Sequence, residues 1–140
     1  MGMDGEEKTP EEQAIELYQL GEEKLEAAKH SSGSKSTYRD CAELAYYAML
    51  YGIKAALAID SALPETQDEC FEVFSEFHVG TEAFPEEAWI RMDNLIKLRG
   101  VDLERPDFVP ELRDVNTQIE SAEYMLLLTN MFLNSRGVPV

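Results

Sequence analysis

The sequence predicts an all-α domain, an up-and-down bundle of about five helices, and three observations lead there. Strand signals are poor: no long alternating run of Val, Ile and Thr occurs, and the hairpin dipeptides Asn-Gly and Asp-Gly are missing outside Asp4 and Gly5. Residues 36–59 carry two apolar stripes, one through Tyr38, Cys41, Ala45, Ala48, Gly52, Ala56 and Ile59, the other through Leu44, Tyr47, Tyr51, Ala55 and Ala58. A surface helix needs one stripe, so two predict a central helix covered on at least two sides. Polar turns and prolines cut the rest of the 140 residues into helix-length pieces, and that length allows one domain with a real core.

Each element follows from local signals. Residues 1–8 read as an acidic tail. Thr9, Pro10, Glu11 and Glu12 form a capping box with proline at the first helical position. The first helix then places Ala14, Leu17, Tyr18, Gly21, Leu25 and Ala28 on one face and charged residues on the other. Residues 30–35 are a polar turn, and Ser36 or Thr37 can cap the central helix, which must lie antiparallel to the first because the link is short. Asp60 to Pro64 breaks the chain, and residues 65–79 predict a third helix with Cys70, Phe74 and Phe77 as core, stopped by Gly80. Pro85, Glu86 and Glu87 start a fourth helix, whose Ala88, Trp89, Met92, Leu95, Ile96 and Arg99 share a face until Gly100 ends it. Residues 101–109 read as the longest internal loop, a place where binding residues tend to sit. Pro110 opens the last helix, with a seam of Leu112, Val115, Ile119, Ala122, Leu126, Thr129 and Leu133 and a stop at residues 134–137. No repeat interrupts residues 9–136, which are expected to form a single domain.

Acids outnumber bases 28 to 12, for a formal charge of −16. A phosphate backbone is bound mainly through Lys and Arg, so nucleic acid is an unfavoured partner. The acidic surface serves solubility or complements a basic partner. Cys41 and Cys70 make no disulfide framework and read as buried, reduced thiols. The acidic N-terminal residues are unlike a secretory signal, and apolar runs such as residues 124–128 are too short to span a bilayer. A cytoplasmic protein without a membrane role is the expectation.

With the helices laid out, the chain resembles the HEPN domains, and within them an uncharacterised bacterial subgroup with a Tyr-Tyr-Ala-Met-Phe signature in its second helix. Here that signature reads Ala45, Tyr46, Tyr47, Ala48, Met49, Leu50, Tyr51, followed by Lys54, Ala55, Ala56 and Leu57. Residues 14–28 are similar to the first-helix pattern, and Phe74, Ser75, Glu76, Phe77, His78 and Val79 to the phenylalanine-rich third helix. Leu98, Arg99, Gly100, Val101 and Asp102 stand where the family places an arginine and an Ala-Asp-Tyr motif. The resemblance covers residues 10–134. It implies a helical bundle that pairs as a homodimer, and in many members a metal-independent ribonuclease or a toxin neutralised by a nucleotidyltransferase-type partner.

The departures are informative. Ribonuclease members carry Arg, about four to six residues, then His, because attack by the 2′-hydroxyl needs a group that titrates near neutrality and a cation on the phosphate. Neither His30 nor His78 has an Arg at that distance before it. Leu44 replaces the arginine found before the tyrosine pair, and Gln67 stands where subgroup members carry a histidine. No ribonuclease activity is expected. A helical-bundle metal site needs Glu-x-x-His, but Ala27 and Ser75 precede the histidines by three, so neither metal nor cofactor is expected.

The resemblance makes Arg99 and Asp102 candidates for a cleft beside the dimer axis, against a plain helix-end cation and loop cap. Tyr47 and Tyr51, one turn apart, either border the same groove or pack in the core. Glu43, inside the central helix, is placed to project inward as a buried carboxylate or to sit partly exposed in a hydrogen bond. The family pattern without its catalytic pair leads to a non-catalytic, homodimeric HEPN-like domain that binds a protein, with a nucleotidyltransferase-type partner as in toxin and antitoxin pairs. The second stripe of the central helix is the motive for the dimer. Two other readings stay open: a degenerate nucleotide-binding or ribonuclease module using Arg99 with Tyr47 or Asp102, and a bundle holding a small apolar ligand.

Overall fold

A computed structural model describes residues 7–60, 63–105 and 107–140. The described residues form an all-α bundle of five helices: α1 (Pro10–Ser31), α2 (Tyr38–Asp60), α3 (Gln67–Phe77), α4 (Glu86–Glu104) and α5 (Leu112–Ser135). Most of the expected tail, residues 1–6, lies outside the described residues; Lys8 pairs with Glu16 on α1. Thr9 closes the capping box, its hydroxyl accepting from the Glu12 N–H at 3.1 Å while its own N–H donates to the Glu12 carboxylate at 3.1 Å. Such caps contribute about 1 kcal/mol. Residues 35–37 wind as one 3₁₀ turn, and α2 begins at Tyr38, directly after Thr37. Thr66 caps α3 by accepting from the Glu69 N–H at 3.1 Å.

The bounds of three helices differ from expectation. α3 spans Gln67–Phe77 rather than residues 65–79, because Thr66 takes the cap position. α4 does not end at Gly100 but continues to Glu104, so the expected loop loses its first four residues. A glycine inside a helix costs about 1 kcal/mol, less than a proline does. The real stop is the proline at 106, which biases the residue before it away from the helical region, and Arg105 stands at φ −128°, ψ 82°. α5 starts at Leu112 rather than Pro110, because Glu111 takes the cap position and its N–H donates to the Asp114 carboxylate at 3.2 Å.

The helices pack around α2. Cys41 lies with Ala28 and Val115 at one end of it, Thr129 donates to the Gly52 carbonyl at 3.4 Å further along, and Arg136 reaches Asp60 at its far end. Those contacts run in step, so α2 and α5 are parallel and α1 is antiparallel to both. The helices come close because Gly21 and Gly52 have no side chain. A Cβ on Gly21 would stand 2.9 Å from Leu126 Cδ2 and 3.1 Å from the Ala48 carbonyl oxygen; one on Gly52 would stand 3.1 Å from the same Leu126 methyl. Ala45, Ala48, Ala55 and Ala56 are fully buried on the same helix. The second stripe of α2 is therefore largely covered within the chain: Ala55 and Ala58 are buried, Leu44, Tyr47 and Tyr51 half-buried.

α3 departs from strict alternation. Gln67 at its start bonds Tyr46, and His78 just past its end stands 4.0 Å from Asp60, so α3 runs along α2 in the same direction. Its buried residues are Cys70, Phe71 and Phe74, whereas Phe77 is 64% exposed. At 100° per residue the buried arc is centred between Cys70 and Phe71, and the position that continues it is His78. The same reasoning applies on α4, where Ala88, Met92 and Leu95 are buried and Trp89, a quarter-turn away, is 46% exposed. Leu112, expected in the seam, is also exposed, one turn beyond the cluster of Val115, Ala28 and Cys41.

Candidate functional site

Near the start of α2, residues three and four apart face α4 together. Glu43, Tyr46 and Tyr47 stand on this face, and α4, antiparallel to α2, delivers Arg99 onto it. The Arg99 guanidinium is 3.5 Å from Glu43 Oε1 and lies 5.9 Å from the Tyr46 ring centroid and 5.7 Å from that of Tyr47. The two rings meet edge to face at 5.2 Å. Tyr46 is buried; its hydroxyl donates to Gln67 Oε1 at 2.7 Å, and burial pushes the phenol up to about 12. It is a neutral donor at physiological pH and not a phenolate.

Of the five residues singled out in the sequence, Arg99, Glu43 and Tyr47 converge here. Glu43 is not a buried carboxylate: its side chain keeps 43% of its exposure, while that of Arg99 keeps 18%. Tyr51 turns toward α1, its Cβ close to the Gly21 backbone, with the Lys54 ammonium 5.8 Å from its ring. Asp102 lies in the last turn of α4 rather than in a loop, and its side chain is outside the described residues. The sequence reading passed over Tyr46 as a site residue, although its spacing of three from Glu43 places both on one face. Gln67, noted as a missing histidine, is the residue that holds the Tyr46 hydroxyl.

A second cluster lies at the other end of α2. His78 is buried against Phe74, stacked at 5.6 Å, and meets Phe84 and Phe132 edge to face at 5.8 and 5.4 Å. Burial lowers its pKa, opposed in part by Asp60 at 4.0 Å, which also receives Arg136 at 2.6 Å. His78 is thus a neutral aromatic core residue near pH 7.

The thiols are inert for the same physical reason. Cys41 is buried, donates to the Ala28 carbonyl at 3.1 Å and is raised to about 11; Cys70 is also raised by burial, and neither is in a disulfide. Among the described residues no three His, Cys, Asp or Glu side chains gather as a metal would require, and no helix is long and apolar enough to cross a membrane.

No family model matches this chain, and no curated protein matches it.

Proposed function

We propose that this chain is a non-catalytic, HEPN-like module that works by binding another protein, a nucleotidyltransferase-type protein being the partner class that the resemblance implies. One observation carries the reading: Arg99, the arginine that the resemblance singles out, and the buried histidine belong to different ends of the molecule, and the arginine that does stand near His78, Arg136, is paired with Asp60. Arg99 is held beside Glu43 and His78 beside Asp60, 17 positions along α2 (43 to 60), or roughly 25 Å at 1.5 Å per residue. General acid–base cleavage needs both groups within hydrogen-bond reach of one phosphodiester. The carboxylate on Arg99 and the charge of −16 further disfavour a phosphate ligand.

The homodimer that the resemblance implies needs another surface than the second stripe of α2, which the chain largely covers itself. A second reading, a degenerate nucleotide module, draws on the two tyrosine rings beside Arg99. Two measurements separate these readings: incubation of the purified protein with single-stranded RNA in EDTA, and a thermal melt with millimolar mononucleotide. The module reading expects no cleavage and no shift in melting temperature. Cleavage lost on Arg99→Ala, or a nucleotide-dependent rise in melting temperature lost on the same change, would overturn it.

A further inference from the structure

Among the described residues, four of the eight large exposed apolar side chains fall in two pairs. Leu127 and Met131, one turn apart on α5, are 57% and 59% exposed, and Trp89 and Ile90, early in α4, are 46% and 49% exposed. Met131 lines a trough of about 550 Å³ with Ala83, Pro85, Leu128 and Phe132, and Glu82 stands at its edge. A neighbouring hollow of about 400 Å³ is formed by Val79, Trp89 and Ile90 with Glu86. Since Met131 is more than half exposed, the trough opens to solvent along the helix and is not a closed ligand chamber.

Charge chooses the occupant. Among the described residues, neither Glu82 nor Glu86 has a Lys or Arg within ion-pair distance. The cations flanking this face are already engaged, Arg91 with Glu87 and the Tyr124 ring, Arg136 with Asp60 and the Phe132 ring. A second copy would bring another −16 and the same glutamates to the contact. Nucleic acid would be repelled. An amphipathic helix with an apolar face and Lys or Arg beside it satisfies both the apolar floor and the acidic edge.

We propose that this trough is the docking site for a basic amphipathic helix of a partner protein, its apolar anchors seated over Leu128, Met131 and Phe132 and its cations facing Glu82 and Glu86. The inference rests on the binding-module reading and gives that module a surface and a partner chemistry. The probe is a fluorescein-labelled peptide of about 18 residues with Leu on one helical face and Lys elsewhere, titrated against the full chain by fluorescence anisotropy. Saturable binding is expected, weakening as salt is raised. Met131→Asp, and separately the pair Glu82→Lys and Glu86→Lys, should each weaken it at least about tenfold while leaving the helical circular dichroism unchanged, because these side chains are exposed.

Equal binding of a control peptide with Glu in place of Lys, or affinity untouched by both variants, overturns the proposal. So does sedimentation showing a wild-type dimer that Met131→Asp converts to monomer while the peptide does not bind; the occupant would then be a second copy. None of these results bears on RNA cleavage or nucleotide binding, which alone decide the underlying reading.

Discussion

The two ends of α2 carry the same kinds of group in different states. At one end Arg99 meets Glu43 and two tyrosine rings; at the other His78 meets Asp60 and three phenylalanine rings. A guanidinium does not lose its charge in a folded protein, so it is held near the surface with a carboxylate beside it. An imidazole can discharge, and once neutral it packs as one more ring. Burial differs little, the His78 side chain retaining 11% of its exposure and that of Arg99 18%; what differs is the state of charge. One end therefore holds a permanent cation between a carboxylate and two rings, and the other a neutral ring among phenylalanines, with the Arg136–Asp60 pair at its edge.

Truncating a ring at each end is the strongest way to test that contrast. Phe74 is fully buried and touches both His78 and Phe84. Phe74→Ala should cost about 3–5 kcal/mol of unfolding free energy. Tyr47 is half-buried, and Tyr47→Ala should cost about 1–2 kcal/mol. Urea denaturation followed by circular dichroism measures both, and equal losses would mean that the two ends are packed alike.

A smaller effect is expected when the permanent charge is removed. Arg99→Met keeps the apolar stem of the side chain and leaves Glu43 near water, so it should cost about 1 kcal/mol, mainly the lost contact with the tyrosine faces. A loss several times larger would mean that Arg99 anchors the end of α4 and is not a surface feature.

The weakest expected effect is a slope with pH, and it belongs to one end only. The folded state holds the His78 pKa below its ordinary 6.5, so the unfolded chain takes up this proton first as pH falls. The stability contributed by neutral His78 is complete above 6.5 and is lost as pH falls from there toward the lowered folded value. Melts of wild type and His78→Gln between about pH 5.5 and 7.5 should diverge in this sense, the wild type losing more on acidification. Parallel curves would place a charged histidine in the aromatic cluster and remove the distinction between the two ends.

The candidate site was partly legible. Glu43 and Tyr47 share a helix face by spacing alone, and Arg99 lies on the apolar face of α4, so their meeting needed only that the two helices be antiparallel. Tyr51 was grouped with Tyr47 because one turn separates them, yet the absent side chain of Gly21 draws its Cβ against α1.

The sequence by itself determined the helices, because capping, proline and 3.6-residue periodicity act within a few residues. Thr9 caps as read, and the stripes of α1 and α2 are buried largely as read. Packing between helices decided that α3 runs parallel to α2, that His78 and not Phe77 enters the core, and that Trp89 and Met131 stay outside. Those outcomes depend on where neighbouring helices lie around each axis. An apolar residue at the edge of a stripe is buried or exposed by a rotation of a few tens of degrees, which distant contacts such as those of Gly21, Gly52 and Leu126 set and local sequence does not encode.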